Sequence, residues 1–255
     1  MGIQSAVPFI AETGGQNAMI VASSALLEQA VDDIINSAFG SAGQRCSAPR
    51  ALFVHRDIAD DLIRLLQGAM QELRIGDPWN ASTDLGPVID AEARAALERH
   101  ARALQGLGTR PAITPVPEGL PEGHWFAPQA WEIDRLDMLT EEHFGPILHV
   151  FRYDSAPFDA LLDSIDATGY GLTFGIHGRI PAVYEQVVRR VAAGNAYVNR
   201  SMIGATVGVQ PFGGEGLSGT GPKAGGPWYL PRFAVERVVS VNTAAIGGDI
   251  ESLVT

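Results

Sequence analysis

The chain predicts an α/β fold of three layers, helix–sheet–helix, around a mainly parallel sheet, with a β-like C-terminal tail. Two observations carry this. From residue 147 to 199, apolar strand-like segments alternate with amphipathic helical ones, the pattern of a parallel sheet with helices on both faces. Near the N-terminus the same order occurs once more, as an apolar segment at 18–21, a helical stretch to about Phe39 and an apolar segment at 51–55. No fixed period runs through the chain, so repeat architectures are set aside.

The composition agrees. With 255 residues, 46% hydrophobic and 7% aromatic, the chain can build a full core and is not a disordered segment. The length suits one or two domains. Residues 1–227 read as the main domain and 228–255 as a tail. The formal net charge is -11, and no basic cluster exceeds Arg189-Arg190, so nucleic-acid binding is not expected. There is no signal-peptide pattern and no apolar run near the roughly 18 residues that cross a bilayer. The single cysteine cannot form an intramolecular disulfide, which fits a reducing, cytoplasmic setting.

In order, residues 9–22 read as a strand into a glycine turn and out again. Glu12 ends the first apolar run, beside Gly14 and Gly15. Taken alone it is a solvated turn carboxylate or a functional acid. Ser23 or Ser24 can cap a helix to about Phe39, with Leu26, Leu27, Ala30, Val31, Ile34, Ile35, Ala38 and Phe39 at helical spacing. This helix leads to Cys46, held in a turn with glycines on both sides of Ser41-Ala42. A buried cysteine is more often a small hydrophobe than a nucleophile. This one sits in a glycine-polar-basic turn, and Arg45 is the cation expected to favour its thiolate.

Residues 51–55 read as a buried strand. A helix follows from Asp57 or Ile58 to about Leu73, ended by Gly76-Asp77-Pro78. The stretch 84–89 is a loop or short strand. Asp90 caps a polar helix to about Leu107. Residues 108–124, rich in Gly and Pro, are expected to be the least structured. Strands are expected at 125–131 and 147–151, then helix 157–166, strand 171–177, helix 181–192 and strand 196–199. A long glycine loop spans 204–226. In the tail, 232–235 and 238–241 read as β-like segments pairing outside the main sheet, an edge that is usually covered.

Several signals are rejected. Gly214 to Gly219 matches G-x-G-x-x-G, but Pro222, Gly225, Gly226 and Pro227 follow it, where that motif needs a helix. No phosphate-binding loop is present. Ser218 lies in a G-x-S-x-G frame that fails at Thr220. The six histidines show no H-x-x-x-H pairing, and with one cysteine no metal set is expected.

What remains is a thiol, an acid and two glycine-aromatic turns. Glu12-Thr13-Gly14-Gly15-Gln16-Asn17 resembles the catalytic-glutamate motif of the aldehyde dehydrogenase superfamily. Gly43-Gln44-Arg45-Cys46 resembles its catalytic-cysteine motif, 34 positions after Glu12. Glu142-His143-Phe144-Gly145-Pro146 resembles its E-x-F-G-P cofactor motif, and Pro211-Phe212-Gly213-Gly214 its late P-F-G-G motif. The finer match is to the L-glutamate γ-semialdehyde (pyrroline-5-carboxylate) dehydrogenase module of the proline utilization A proteins. Its marks are 15–21, Gln44-Arg45-Cys46-Ser47-Ala48, 86–90, and Tyr197-Val198-Asn199-Arg200 running into 213–226.

The resemblance implies NAD-dependent oxidation of L-glutamate γ-semialdehyde to L-glutamate. Cys46 is the implied nucleophile and Glu12 the general base, both facing one cleft. Glu142, Phe144, Thr13 and Gly14 are the implied cofactor contacts. Arg45, Ser47, Gly204, Ala205 and Phe212 are implied around a small aldehyde bearing a carboxylate. A homo-oligomer, or docking to an NAD-binding or proline dehydrogenase portion, is also implied. The family's unit is about twice this length, so NAD is expected to be bound mainly by a half preceding Glu12, and these 255 residues alone are expected to be weakly active or inactive. The alternatives are a non-catalytic structural or oligomerisation fragment, an aldehyde dehydrogenase of different substrate, and cysteine-dependent ester hydrolysis needing only Cys46 and Glu12.

Overall fold

The computed structural model describes residues 9–156, 158–242 and 245. Seven strands form one sheet in the order β3-β4-β5-β2-β1-β7-β8. They are β1 (Ala18–Val21), β2 (Ala51–His55), β3 (Gly108–Ile113), β4 (Gln129–Ile133), β5 (Ile147–Tyr153), β7 (Thr173–His177) and β8 (Asn195–Val198). Every pairing is parallel except β3 with β4. A second, two-stranded ribbon joins β6 (Tyr170–Gly171) to β9 (Glu215–Gly216).

Successive strand residues point to opposite faces, and here both faces are buried. One face carries Ile20, Phe53, Phe151 and Phe174. It packs on Leu97 and Leu104 of α3 (Ala91–Leu104), Leu162 of α4 (Phe158–Asp166) and Val187 of α5 (Pro181–Arg190). The other carries Met19, Leu52, Leu148 and Val150. It packs on Ile34 and Phe39 of α1 (Leu27–Phe39) and on Leu62 and Leu66 of α2 (Arg56–Gln71). Burying each such side chain is worth about 1.5–3 kcal/mol. The three-layer αβα expectation holds, because strands covered on both sides must be continuously apolar.

Some boundaries differ from the sequence reading. α1 starts at Leu27, not after a serine cap; Ser24 Oγ instead accepts from the Arg179 N–H at 3.1 Å. Asp90 caps α3 as expected, accepting from the Ala93 N–H at 2.8 Å. The strand expected at 125–131 begins at Gln129. Residues 108–113, expected to be unstructured, form β3. Pro111 is tolerated there because β3 is an edge strand with a register shift between Thr109 and Ala112. In the tail, a single 3-10 turn spans Leu230–Phe233, and no strand is found among the described residues beyond it. The β-like segments expected at 232–235 and 238–241 are therefore corrected: Phe233, Val235, Val238, Val239 and Val241 are exposed and belong to no strand. Residues 243, 244 and 246–255 lie outside the described residues.

Candidate active site

Three of the four motif turns arrive at one edge because each precedes a parallel strand. The Glu12 turn enters β1, the Cys46 turn enters β2 and the Glu142 turn enters β5. β1 pairs with β2 from Ala18 and Ala51, and β2 with β5 from Ala51 and His149. The fourth turn, Pro211 to Gly214, is held by the first residue of β8. Asn195 Nδ2 donates to the Pro211 carbonyl at 2.9 Å, and Asn195 Oδ1 accepts from the Gly213 N–H at 3.3 Å.

The Cys46 turn is locally strained. Ser41, Ala42 and Gly43 take φ of 57°, 54° and 64°, a left-handed run that costs energy at the two non-glycine residues. Gly43 is required here, since a Cβ would strike the Gly145 carbonyl. Two side chains hold the turn. Asn17 Nδ2 donates to the Cys46 carbonyl at 2.6 Å and to that of Ala48 at 2.9 Å, while its Oδ1 accepts from the Thr173 N–H at 3.0 Å. Arg50, missed in the sequence reading, is the second. Its Nη1 donates to the carbonyls of Gly43 at 2.8 Å and Gly145 at 3.2 Å, and its Nη2 to Arg45 at 3.3 Å and the Glu142 carboxylate at 3.4 Å. The signal for Arg50 was weak: an arginine four residues past the cysteine, directly before an apolar strand.

Cys46 is exposed. Its thiol is pushed above the ordinary value, first by partial desolvation and then by the charges of Glu12 and Glu142. The N–H groups of Cys46 and Ser47 act in the opposite sense. The expectation that Arg45 favours the thiolate is corrected. Arg45 is exposed and its Nε donates to Ser41 Oγ at 3.0 Å. Arg50, by contrast, is folded inward beneath the turn, and its charge is set mainly by burial and by Glu142. Glu12 is also raised, by desolvation. Its Oε1 would lie 2.8 Å from a Cβ at Gly213, so the missing side chain there leaves room for the acid.

The other candidate residues are arranged as follows. Thr13 Oγ1 donates to the Leu217 carbonyl, fixing the Glu12 turn on the late glycine loop. Glu142 folds over Gly14, and its Oε2 accepts from the Gly15 N–H at 3.0 Å. Phe144 is 44% exposed, with the Arg50 guanidinium 5.1 Å from its ring centroid. Ser47 is buried, and its carbonyl accepts from Thr173 Oγ1 at 3.1 Å. Gly204 is exposed with φ of 75° and is followed by half-buried Ala205. Just before them, Ile203 packs within 3.2 Å of a Cβ position at Gly40, at the head of the Cys46 turn. Phe212 is half-buried and bridges to Ala224.

A cavity of about 650 Å³ lies beside Gln16, walled by Phe53, Phe151, Leu161 and Tyr170; neither Cys46 nor Glu12 lines it. Among the described residues no group of three or more His, Cys, Asp or Glu could hold a metal ion, and no helix is long and apolar enough to cross a membrane.

Comparison with known proteins matches residues 2–239 to the model described as the aldehyde dehydrogenase family. The bifunctional protein PutA of Escherichia coli is 53% identical over 237 residues, covering 91% of this chain. A crystal structure of bifunctional proline utilization A superposes with a TM-score of 0.88 at 55% identity over 93% of this chain. The 1-pyrroline-5-carboxylate dehydrogenase from Thermus, solved with bound NAD, gives 0.81 at 34% identity over 88%. The chain spans 18%, 24% and 43% of those three proteins, respectively.

Proposed function

The chain belongs to the aldehyde dehydrogenase family, and on that premise we propose that it is the catalytic portion of an NAD-dependent L-glutamate γ-semialdehyde dehydrogenase of proline catabolism. The observation that carries the reading is that the Glu12 and Cys46 turns enter neighbouring parallel strands, β1 and β2, from the same end, with the Glu12 charge acting on the Cys46 thiol in the same sense. Two residues 34 positions apart in sequence thus share one mouth, as a nucleophile and its base must.

The steps follow from that pair. The Cys46 thiolate attacks the aldehyde carbon, a C–S bond forms, and the carbonyl electron pair moves to oxygen. The Cys46 backbone N–H would donate to that oxygen. NAD, when bound, supplies the acceptor for the hydride that then leaves the carbon and turns the thiohemiacetal into a thioester. Glu12 takes a proton from water as the water attacks this carbon. The C–S bond breaks, the thiolate leaves with the electron pair, and the acid is released as its carboxylate.

The cofactor contacts on this chain fit their role. Glu142 is fixed by Arg50 and Gly15 and keeps lone pairs for ribose hydroxyls. Phe144 offers an exposed ring face for the nicotinamide side. Thr13 and Gly14 lie beside them. We assign the rest of the cofactor site to the portion of the relatives that this chain does not span. Ser47, Gly204 and Ala205, with Arg45, suit a small carboxylate, and Phe212 suits an aliphatic stem. The exposed tail suits a second copy or a neighbouring domain. The domain division at about residue 227 and the cytoplasmic setting belong to the same reading.

The test joins these residues to the nucleotide-binding half of a PutA relative and measures NAD reduction with L-glutamate γ-semialdehyde. Turnover lost in Cys46→Ser supports the reading. Turnover that survives this substitution, or that prefers aldehydes lacking the carboxylate, overturns it. The ester-hydrolysis reading keeps one specific support, that thiol and acid both lie on this chain; hydrolysis of an activated ester without NAD would identify it.

A further inference from the structure

Lys223 is the single lysine among the 18 lysines and arginines of the sequence, and the proposed chemistry leaves it unused. It belongs to the long glycine loop and is half-buried. A loop lysine is ordinarily a solvated cation. This one is fixed at both ends.

At its base, the neighbouring Ala224 bridges to Phe212. The Ala224 N–H donates to the Phe212 carbonyl at 2.8 Å, and the Ala224 carbonyl accepts from the Phe212 N–H at 3.0 Å. This lays the lysine against the turn from Pro211 to Gly214. A Cβ at Gly213 would meet the Lys223 Cα at 3.2 Å, its Cγ at 3.4 Å and Glu12 Oε1 at 2.8 Å. The carboxylate and the lysine stem thus close on one point, which only a glycine leaves open. At its tip, Lys223 Nζ donates to the Gly194 carbonyl. Gly194 itself touches the turn, since a Cβ there would strike the Gly213 carbonyl. It leads into β8, whose Asn195 holds both Pro211 and Gly213. The ammonium's partner is a backbone carbonyl rather than an acid, so this charge-assisted bond fixes where the backbone lies.

Resting on the assignment of Glu12 as the general base, we propose that Lys223 is a positioning residue for that base. Its stem closes the space behind Gly213 against which Glu12 rests, and its ammonium pins the turn to the start of β8. Lys223 touches no reacting atom; it acts through Gly213 and Glu12.

The test uses the 255-residue chain with Cys46 acylated by p-nitrophenyl acetate. Lys223→Met keeps a stem and loses the ammonium. Hydrolysis of acyl-Cys46 should slow about tenfold, the loss expected for one hydrogen bond to a charged group. Alkylation of Cys46 by iodoacetamide should be little changed. Lys223→Arg, which can still donate to Gly194, should recover most of the hydrolysis. Lys223→Ala also removes the stem and admits water to Glu12, whose pKa is raised by burial. The acid limb of hydrolysis should therefore move to lower pH. A merely structural role would lower both rates together and leave the limb in place. Unchanged hydrolysis in Lys223→Met, equal losses in hydrolysis and alkylation, or an unmoved limb in Lys223→Ala overturns the proposal.

Should the variants not fold, the unsubstituted protein answers. Its one lysine, held on Gly194, should be reductively methylated by formaldehyde and cyanoborohydride about tenfold more slowly in the folded chain than in the urea-unfolded one; equal rates overturn the proposal. This measurement reads neither Cys46 nor aldehyde oxidation. A chain whose Cys46 takes no acyl group counts against the dehydrogenase reading, whereas the lysine rates bear on Lys223 alone, so the two failures are distinct results.

Discussion

Arg50 and Glu142 form an ion pair at 3.4 Å between side chains that are 1% and 13% exposed. The pair joins the Cys46 turn to the Glu142 turn, and Arg50 also donates to three carbonyls, those of Gly43 and Gly145 in buried bonds and that of Arg45 in a half-buried one. Arg50→Met would leave the largely buried Glu142 carboxylate without its cation and the Gly43 carbonyl without its donor, while the Gly145 and Arg45 carbonyls keep the Ile147 and Ala48 N–H groups. Breaking such a pair should cost about 3–5 kcal/mol, read as a lower denaturant midpoint. A loss under about 1 kcal/mol would be in the range of an exposed pair and would show that the clamp is not structural.

Glu12→Gln should change two rates in opposite directions. Glu12's charge raises the Cys46 thiol, so removing it should lower the alkylation midpoint and speed alkylation below it. The same change removes the base for thioester hydrolysis, which should slow about 10²–10⁴-fold. Two losses, or two gains, would separate these residues functionally.

The direction of the Glu12 shift sets a pH dependence. Its pKa lies above the ordinary glutamate value. The base form is present above that raised pKa and is lost as pH falls through it. Acyl-Cys46 hydrolysis should therefore decline at a pH where an ordinary glutamate would still be ionised. A decline only within the ordinary glutamate range would show that burial does not govern this acid.

Gly213→Ala should act on Glu12 at a distance in sequence. The added Cβ would approach the Glu12 carboxylate to 2.8 Å and the Lys223 Cα to 3.2 Å. The carboxylate is the flexible member and should move. Hydrolysis of acylated Cys46 should slow more than Cys46 alkylation does. Equal losses in both would mean that the backbone, not the acid, has shifted.

These 255 residues alone should react with a thiol reagent yet show little or no NAD-dependent aldehyde oxidation. The reacting carbon must be held within roughly 3–3.5 Å of its partner, and such positioning can supply about 7–11 kcal/mol of the barrier. Glu142 and Phe144 are too few contacts for that. Robust NAD reduction by the unsupplemented chain would show that its cofactor site is larger than these residues.

The layers of the fold were legible because both faces of the sheet are covered. Strands β2, β5 and β7 are short apolar runs, and α1 and α2 carry wide apolar stripes. β3 was not legible, because its Gly and Pro read as loop and only its edge position makes them tolerable. The turns of the site were legible by resemblance. Its electrostatics were not. Arg45 adjoins the cysteine in sequence but turns outward to Ser41, while Arg50 turns inward. No local pattern distinguishes a buried arginine from a surface one when its partners are distant carbonyls. The histidines gave a related result. No spacing linked them, yet His100 stacks on His143 with centroids 3.3 Å apart and meets His149 at 2.8 Å.

Because the acid and thiol turns stand at the entrances of neighbouring parallel strands, the sequence interval between them is a ruler. The chain climbs β1, about 13 Å for four residues, and returns along the 13 residues of α1, about 20 Å. The two legs need to match only roughly, since the left-handed run at 41–43 takes up the remainder. One extra helical turn in α1 would overshoot by about 5 Å, close to a whole strand spacing. Drift in the length of this unit is therefore bounded by the reach of a single carboxylate, while substitutions within it are bounded only by packing.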